Sequence, residues 1–228
     1  MSALQRSKIR PNIRNEALRG PPSDIELVID KNEHRMPLLF PSRILWCPDY
    51  GRPPAPLTIH KTVRKLPFGD YCLAGRAHQA CVETKRSLDE LANNLSGQDR
   101  HRAGDAFRRL ADGCKHPYLM LDLDWAMLRG DWRSGQDHED RPDPGRIQDL
   151  LFKLCVAYRF RVLGPIRART PQTRRWAGDF VLRLLLAHAY PSAHWLDPRR
   201  HVEGGKCDLI LPAANDLRPP GKKIPTPT

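Results

Sequence analysis

Hydrophobic positions change period several times along the chain. IELVID (residues 25–30) is a nearly continuous apolar run ending on a carboxylate, the pattern of a buried strand that delivers Asp30 to the end of a sheet. In LTIHKTVRKL (57–66), Leu57, Ile59 and Val63 share one face, with polar residues on the other, as a half-buried strand requires. DYCLAG (70–75) and QACVETK (79–85) supply two more strands, joined near Gly75 and Arg76 as a hairpin or meander. The period then becomes helical: Leu88, Leu91, Ala92 and Leu95 recur behind Ser87-Leu88-Asp89-Glu90, which has the S-x-x-E form of a capping box. Ala103, Ala106, Phe107, Leu110 and Ala111 predict a second helix, and YLMLDL (118–123) another buried strand. Ile147, Leu150, Leu151, Leu154, Cys155 and Tyr158 predict a third helix, followed by the short strand FRVLGPI (160–166). Thr170 and Pro171 form an N-cap and first-turn pair for a last helix, which continues through Trp176, Ala177, Phe180, Val181, Leu184 and Leu185 toward Tyr190. In that phase Trp176 and Phe180 belong to the core rather than to a surface that stacks on bases.

The segments between and beyond these elements read as loops and tails. WCPDYGRPPAPL (46–57) carries too much proline for a sheet interior, and RGDWRSGQDHEDRPDPG (129–145) is too polar to pack. Residues 1–23 form a basic flexible arm, with Arg6, Lys8, Arg10, Arg14 and Arg19 against the single acid Glu16. From 191 to 228 proline, glycine and charge return without a sustained pattern, although CDLILPAA (207–214) could add a strand. Internal repeats are absent, so the chain reads as one α/β domain over 24–190 between the arm and a Pro/Gly-rich C-terminal extension.

Composition narrows the partners. A chain of 228 residues, 40% hydrophobic, can bury one sizeable core, and a net charge of +12 attracts polyanions, nucleic acid first among them. The six cysteines show no C-x-x-C pair, which argues against structural zinc and for reduced, mostly buried thiols. His188, His194 and His201 are too irregularly spaced for a metal site, and no phosphate-cradling P-loop supports an ATP-driven helicase. With no secretory segment and no apolar run able to span a bilayer, a soluble cytoplasmic protein is expected, nucleoid-associated if bacterial or phage.

The candidate chemistry lies in LPFGDYCLAGRAHQACVETKRSLDEL (66–91). Side chains alternate across a strand, so Glu83 and Lys85 share one side while Thr84 faces the other. If the two strands pair, Asp70 converges on the same point, and two hard oxygen ligands there suit magnesium or manganese. Asp30 and Glu33 could complete the acidic cluster. Phosphodiester hydrolysis needs a Lewis acid, an activated water and positive charge at the pentavalent transition state. For Lys85 the safer role is orientation and charge stabilisation, since a base would need a lowered pKa. An isolated E-x-K is also a common surface ion pair, and Asp89 has a plain reading as a first-turn acid complementing a helix dipole.

As a set, VIDKNE (28–33), LPFGDYCL (66–73) and VETKRSLDEL (82–91) resemble the D-x-R-E, G-D and E-R-K-x-x-x-D motifs of the XPF/Hef-type nuclease domain, the excision-repair cross-complementation group four nuclease domain family. The resemblance spans roughly residues 24–190. It implies a restriction-endonuclease-like fold, a mixed central sheet flanked by helices, and metal-dependent DNA endonuclease activity. It implies Asp70, Glu83, Lys85, Asp30, Glu33 and Asp89 as catalytic-site residues, with Asp70, Glu83 and Asp30 holding Mg2+ or Mn2+. By analogy the substrate is branched or single-strand-containing DNA, in repair, recombination or mobile-element replication; a junction-resolving or site-specific endonuclease would share the motif chemistry. Two departures stand out: Asn32 replaces the arginine of D-x-R-E, and Thr84 that of E-R-K. The loss at 32 bears on rate or substrate choice, whereas Thr84 faces away from the ligands. The family's tandem helix-hairpin-helix domain has no counterpart after Tyr190, so DNA contacts are expected from the basic arm, from Arg100 and Arg102, and from arginines such as Arg174 and Arg175. A homodimer or heterodimer through the domain is compatible with the resemblance. The alternative is a catalytically inactive DNA-binding or dimerising scaffold of the same fold.

Overall fold

The computed structural model describes residues 22–33, 37–47, 55–123, 143–164, 166–191 and 194–196. All of them belong to one compact unit ending at Leu196. Most of the expected basic arm, the polar loop at 129–142 and the strand expected at 207–214 lie outside the described residues.

Eight strands form one sheet: β1 Asp24–Asp30, β2 Arg43–Cys47, β3 Ala55–Arg64, β4 Tyr71–Leu73, β5 Ala80–Lys85, β6 His116–Leu121, β7 Arg161–Leu163 and β8 His194–Leu196. Their spatial order is β7-β6-β5-β4-β1-β3-β2-β8. The pairs β1/β3, β5/β6 and β6/β7 are parallel, whereas β4 runs antiparallel to both β1 and β5. Four described helices flank the sheet: α1 Leu88–Leu95, α2 Arg100–Gly113, α3 Pro144–Tyr158 and α4 Pro171–Ala189. This is the mixed central sheet with flanking helices that periodicity and motifs anticipate.

Strand alternation divides the core in two. Leu27, Ile29, Tyr71, Val82 and Met120 pack with α4 through Ala177, Val181 and Leu185. Val28, Cys72, Cys81, Leu119 and Leu121 face α1, α2 and α3 through Leu91, Phe107 and Ile147. Each side chain of this size withdrawn from water contributes roughly 1.5–3 kcal/mol, which is what holds the layers together. Thr170 and Pro171 do start α4, with a reciprocal box between Thr170 and Thr173. The thiols of Cys72, Cys81 and Cys114 are buried and unbridged, as their composition suggested.

Three expectations are corrected. The proline-rich stretch is not loop throughout: β2 runs to Cys47 and β3 begins at Ala55, and Pro56 is tolerated because it lies where β3 has β2 on one side, before pairing with β1 starts at Thr58. The sheet also continues past 190, since β8 pairs with β2. Trp176 and Phe180 are not core residues but 53% and 49% exposed. Helix α4 buries Ala177 and Gly178 instead, because it lies so close to the 37–40 segment that a Cβ on Gly178 would collide with the Leu39 carbonyl. Among the described residues no helix is long and apolar enough to cross a membrane.

Candidate active site

The acids gather where β1 ends, β4 begins and β5 ends. Gly69 makes this possible: its φ of 67° lies in the left-handed region, and a Cβ there would strike the Cys81 sulfur. The chain then turns so that Asp70 is knitted between two strands, its N–H donating to Val82 O at 2.8 Å and its carbonyl accepting from Asp30 N at 2.8 Å. The Asp70 carboxylate accepts the Thr84 N–H at 2.7 Å. Alternation along β5 then puts Glu83 and Lys85 on the same side as Asp70, facing α1 and α2.

Lys85 is the electrostatic centre. Its side chain is only 8% exposed, and its Nζ lies 2.7 Å from Glu83 Oε1 and 3.3 Å from Glu90 Oε1. The Phe107 ring packs beside it, 5.5 Å from the ammonium to the ring centroid. Burial alone would lower the Lys85 pKa, but Glu83, Glu90 and Asp70 together outweigh it and leave the pKa raised, so the group is an ammonium at neutral pH. Asp70 is shifted the other way in charge terms: burial first, then repulsion from Glu83, holds its carboxyl well above the usual range. The carboxylate keeps some solvent contact through the cleft mouth yet is hemmed in by protein, which is why desolvation dominates. A cation beside Asp70 and Glu83 would relieve this repulsion.

These groups floor a cleft of about 900 Å3. Lys65 and Phe68 line it from the segment before β4, and Asn93, Asn94, Arg102 and Arg109 line it from α1 and α2.

The remaining expected residues occupy different positions. Asp30 reaches the same cleft, but both its oxygens are engaged by backbone amides, Oδ1 by Asn32 N at 2.8 Å and Oδ2 by Leu66 N at 2.7 Å. It therefore serves as the anchor of the turn after β1. Glu33 stands at the rim, with Oε1 shared by the Arg86 guanidinium and by the Tyr71 hydroxyl at 2.9 Å. Asp89 is exposed in the first turn of α1 and does not line the cleft. Among the arginines, Arg102 lines the cleft while pairing with Asp99 at 3.1 Å. Arg100 is exposed and donates to His101. Arg174 donates its Nε to Pro37 O at 2.9 Å and so ties α4 to the segment beside it, and Arg175 is exposed on α4, away from the cleft lining.

Four residues were not anticipated. Glu90 was legible as a capping residue, yet the box is half formed: Ser87 Oγ accepts the Glu90 N–H at 3.0 Å, while the Glu90 carboxylate turns to Lys85 and to Arg86 N. Arg86 supplies a guanidinium to Glu33, although Asn32 and Thr84 lack the motif arginines. Arg109 and Lys65 were hidden among many surface cations; helical spacing of Arg102, Ala106 and Arg109 was the available signal.

Among the described residues, no three His, Cys, Asp or Glu side chains meet as a ready metal cage. Asp70 and Glu83 nonetheless form a donor set that fits a hard divalent cation, which binds through one or two carboxylates and keeps waters or substrate oxygens for its other positions. Asp30 also lines the cleft, and each of its oxygens already accepts one backbone N–H, so any part it took as a ligand would use the remaining lone pairs.

No model of a known protein family matches the chain, and no curated protein sequence does. Among solved structures, the chain is similar to XPF from Aeropyrum pernix, with a TM-score of 0.43 and 17% identity over 71% of this chain and 63% of that one. It is also similar to XPF from Aeropyrum pernix in complex with DNA, with a TM-score of 0.43 and 18% identity over 70% of this chain and 64% of that one. In both cases the match spans less than two thirds of the solved chain.

Proposed function

We propose that the chain is a metal-dependent nuclease that hydrolyses phosphodiester bonds of DNA in the cleft above Asp70, Glu83 and Lys85. The observation that carries this reading is a buried ammonium held beside two crowded carboxylates on the floor of an open cleft with cationic walls. Isolated surface ion pairs do not have this form: the acids are crowded at an energetic cost, and burial is retained where charge is to be used.

Asp70 and Glu83 would hold Mg2+ or Mn2+, which when bound supplies a Lewis acid for a non-bridging phosphate oxygen. Lys85 remains an ammonium, so it donates a hydrogen bond and positive charge to the pentavalent phosphate rather than removing a proton from water. Asp30 fixes the turn that closes against Leu66 and keeps Asp70 in register. Lys65, Arg102 and Arg109 would grip backbone phosphates on either side, which favours binding without reading sequence. Branched or single-strand-containing DNA is the proposed substrate, with repair, recombination or mobile-element replication as the setting.

The competing reading is a DNA-binding scaffold. It is favoured by the closure of Lys85 with Glu83 and Glu90, a network that is charge-compensated on one side without any ligand. Cleavage of labelled flap, fork, bubble, duplex and single-stranded DNA with magnesium, manganese or EDTA separates the two. Metal-dependent cutting abolished by Asp70→Asn and by Glu83→Gln supports the nuclease; undiminished cutting by the variants rejects the site, and binding without cutting supports the scaffold.

A further inference from the structure

A lysine side chain is a compact charge on a flexible four-carbon stem, so strand β5 alone does not fix where its ammonium points. Here the direction is set from outside the strand. Glu90 Oε1 lies 3.3 Å from Lys85 Nζ, and its other oxygen accepts the Arg86 N–H at 3.0 Å. Its own N–H donates to Ser87 Oγ at 3.0 Å. The carboxylate is thereby pinned at both oxygens, to the last residue of β5 and to the residue after it, and its backbone is pinned to the helix cap.

We propose that Glu90 is the positioning residue for Lys85, taking the place that motif spacing gives to Asp89. The inference rests on the reading of Lys85 as the group that stabilises charge on phosphate. Helical geometry separates Asp89 from Glu90 by about 100° around α1, so only one of them can face the cleft. Glu90 lines it, and Asp89 is exposed.

Glu83 cannot hold the ammonium alone, because it is claimed both by Lys85 and by the cation that its crowding with Asp70 favours. Glu90 lies outside the proposed ligand pair and acts as the counter-charge to Lys85 from the helix side. An ammonium has three N–H donors, and with two directed to Glu83 and Glu90 one remains for a phosphate oxygen. The Phe107 ring, its centroid 5.5 Å from the ammonium, packs beside it and limits its swing.

The test compares Glu90→Gln, Glu90→Asp and Asp89→Asn in the full chain. The first readout needs no metal or substrate: the 15N–1H correlation of the Lys85 ammonium, recorded in EDTA and assigned with Lys85→Arg. A resolved signal in the wild type that disappears in Glu90→Gln and survives in Asp89→Asn is expected. The second is steady-state cleavage, with substrate varied, of the DNA that the wild type cuts fastest. Glu90→Gln is expected to lower kcat by about 10²-fold with KM within about twofold, and Glu90→Asp to be intermediate. The Glu90→Gln loss should exceed that of Asp89→Asn at least tenfold, while its Tm stays within about 3 °C of the wild type. No ammonium signal in the wild type, a signal unchanged in Glu90→Gln, equal losses in the two variants, or a loss that tracks a falling Tm overturns the proposal. If the wild type cuts no DNA, the nuclease reading fails and the ammonium signal alone decides whether Glu90 holds Lys85.

Discussion

Arg86 and Glu33 form an ion pair that joins the end of the strand carrying Lys85 to the turn after β1, and Tyr71 donates to the same Glu33 oxygen. Both charged side chains are largely withdrawn from solvent, at 14% and 13% exposure. Removing one partner strands the other, so Arg86→Met should destabilise the protein by about 3 kcal/mol. Urea unfolding would measure this, and the double variant Arg86→Met with Glu33→Gln should recover part of the loss.

Asp30 and Asp70 should respond oppositely to the same substitution. Asp30→Asn places an amide NH2 against Leu66 N–H or Asn32 N–H and is expected to cost about 1–3 kcal/mol. Asp70→Asn keeps an oxygen for the Thr84 N–H and removes a desolvated, repelled charge, so the metal-free protein should be as stable as the wild type or more so, while cleavage is lost. Thermal unfolding in EDTA beside the cleavage assay checks both.

Stability should fall with acid through a corner remote from the cleft. His188 accepts or shares a hydrogen bond with Tyr118 at 2.6 Å, stacks on His116 and faces Arg161 and Lys115. Burial, then these neighbours, pushes its pKa down to about 4 from 6.5. The unfolded chain therefore takes up the proton first: the contribution is complete above about pH 6.5 and is lost as pH falls toward 4. His188 is partly exposed, so the slope is worth about 1 kcal/mol after solvent screening. Denaturant titrations from pH 7 to 4 should show a flatter profile for His188→Gln.

Cleft cations should act through phosphates. Lys65→Ala and Arg109→Ala are each expected to reduce the slope of log affinity against log salt by about one, uniformly across sequences. Arg174→Ala should leave that slope alone and lower stability, because its guanidinium is spent on Pro37 O. Fluorescence anisotropy at several salt concentrations distinguishes them.

How far the sequence discloses this arrangement depends on whether the information is local. Asp70, Glu83 and Lys85 were readable because alternation along β5 and a glycine before Asp70 decide their sides, and both are properties of a few adjacent residues. Pairing of β2 with β8, across some 150 residues, leaves no local trace, and the prolines after Cys47 pointed the other way. The aromatic residues of α4 misled because hydrophobicity ranks Trp176 above Gly178, whereas close approach to Leu39 rewards the smaller residue. Glu90 was visible only as a helix cap, since its reach to Lys85 depends on where α1 starts relative to β5.

The three-residue strand β4 meets β1 through Leu73, Cys72 and Tyr71, and β5 through Tyr71 and Cys72. It is the antiparallel seam between the parallel strands β5, β6 and β7 and the mixed group β1, β3, β2 and β8, and the cleft's charged groups are divided across it: Asp30 comes from the mixed group, Glu83 and Lys85 from the parallel one, Asp70 from the seam itself. A chain emerging half-assembled thus carries scattered charges and no reaction centre. Whatever chemistry the cleft performs therefore requires both groups of strands to be joined through this short seam.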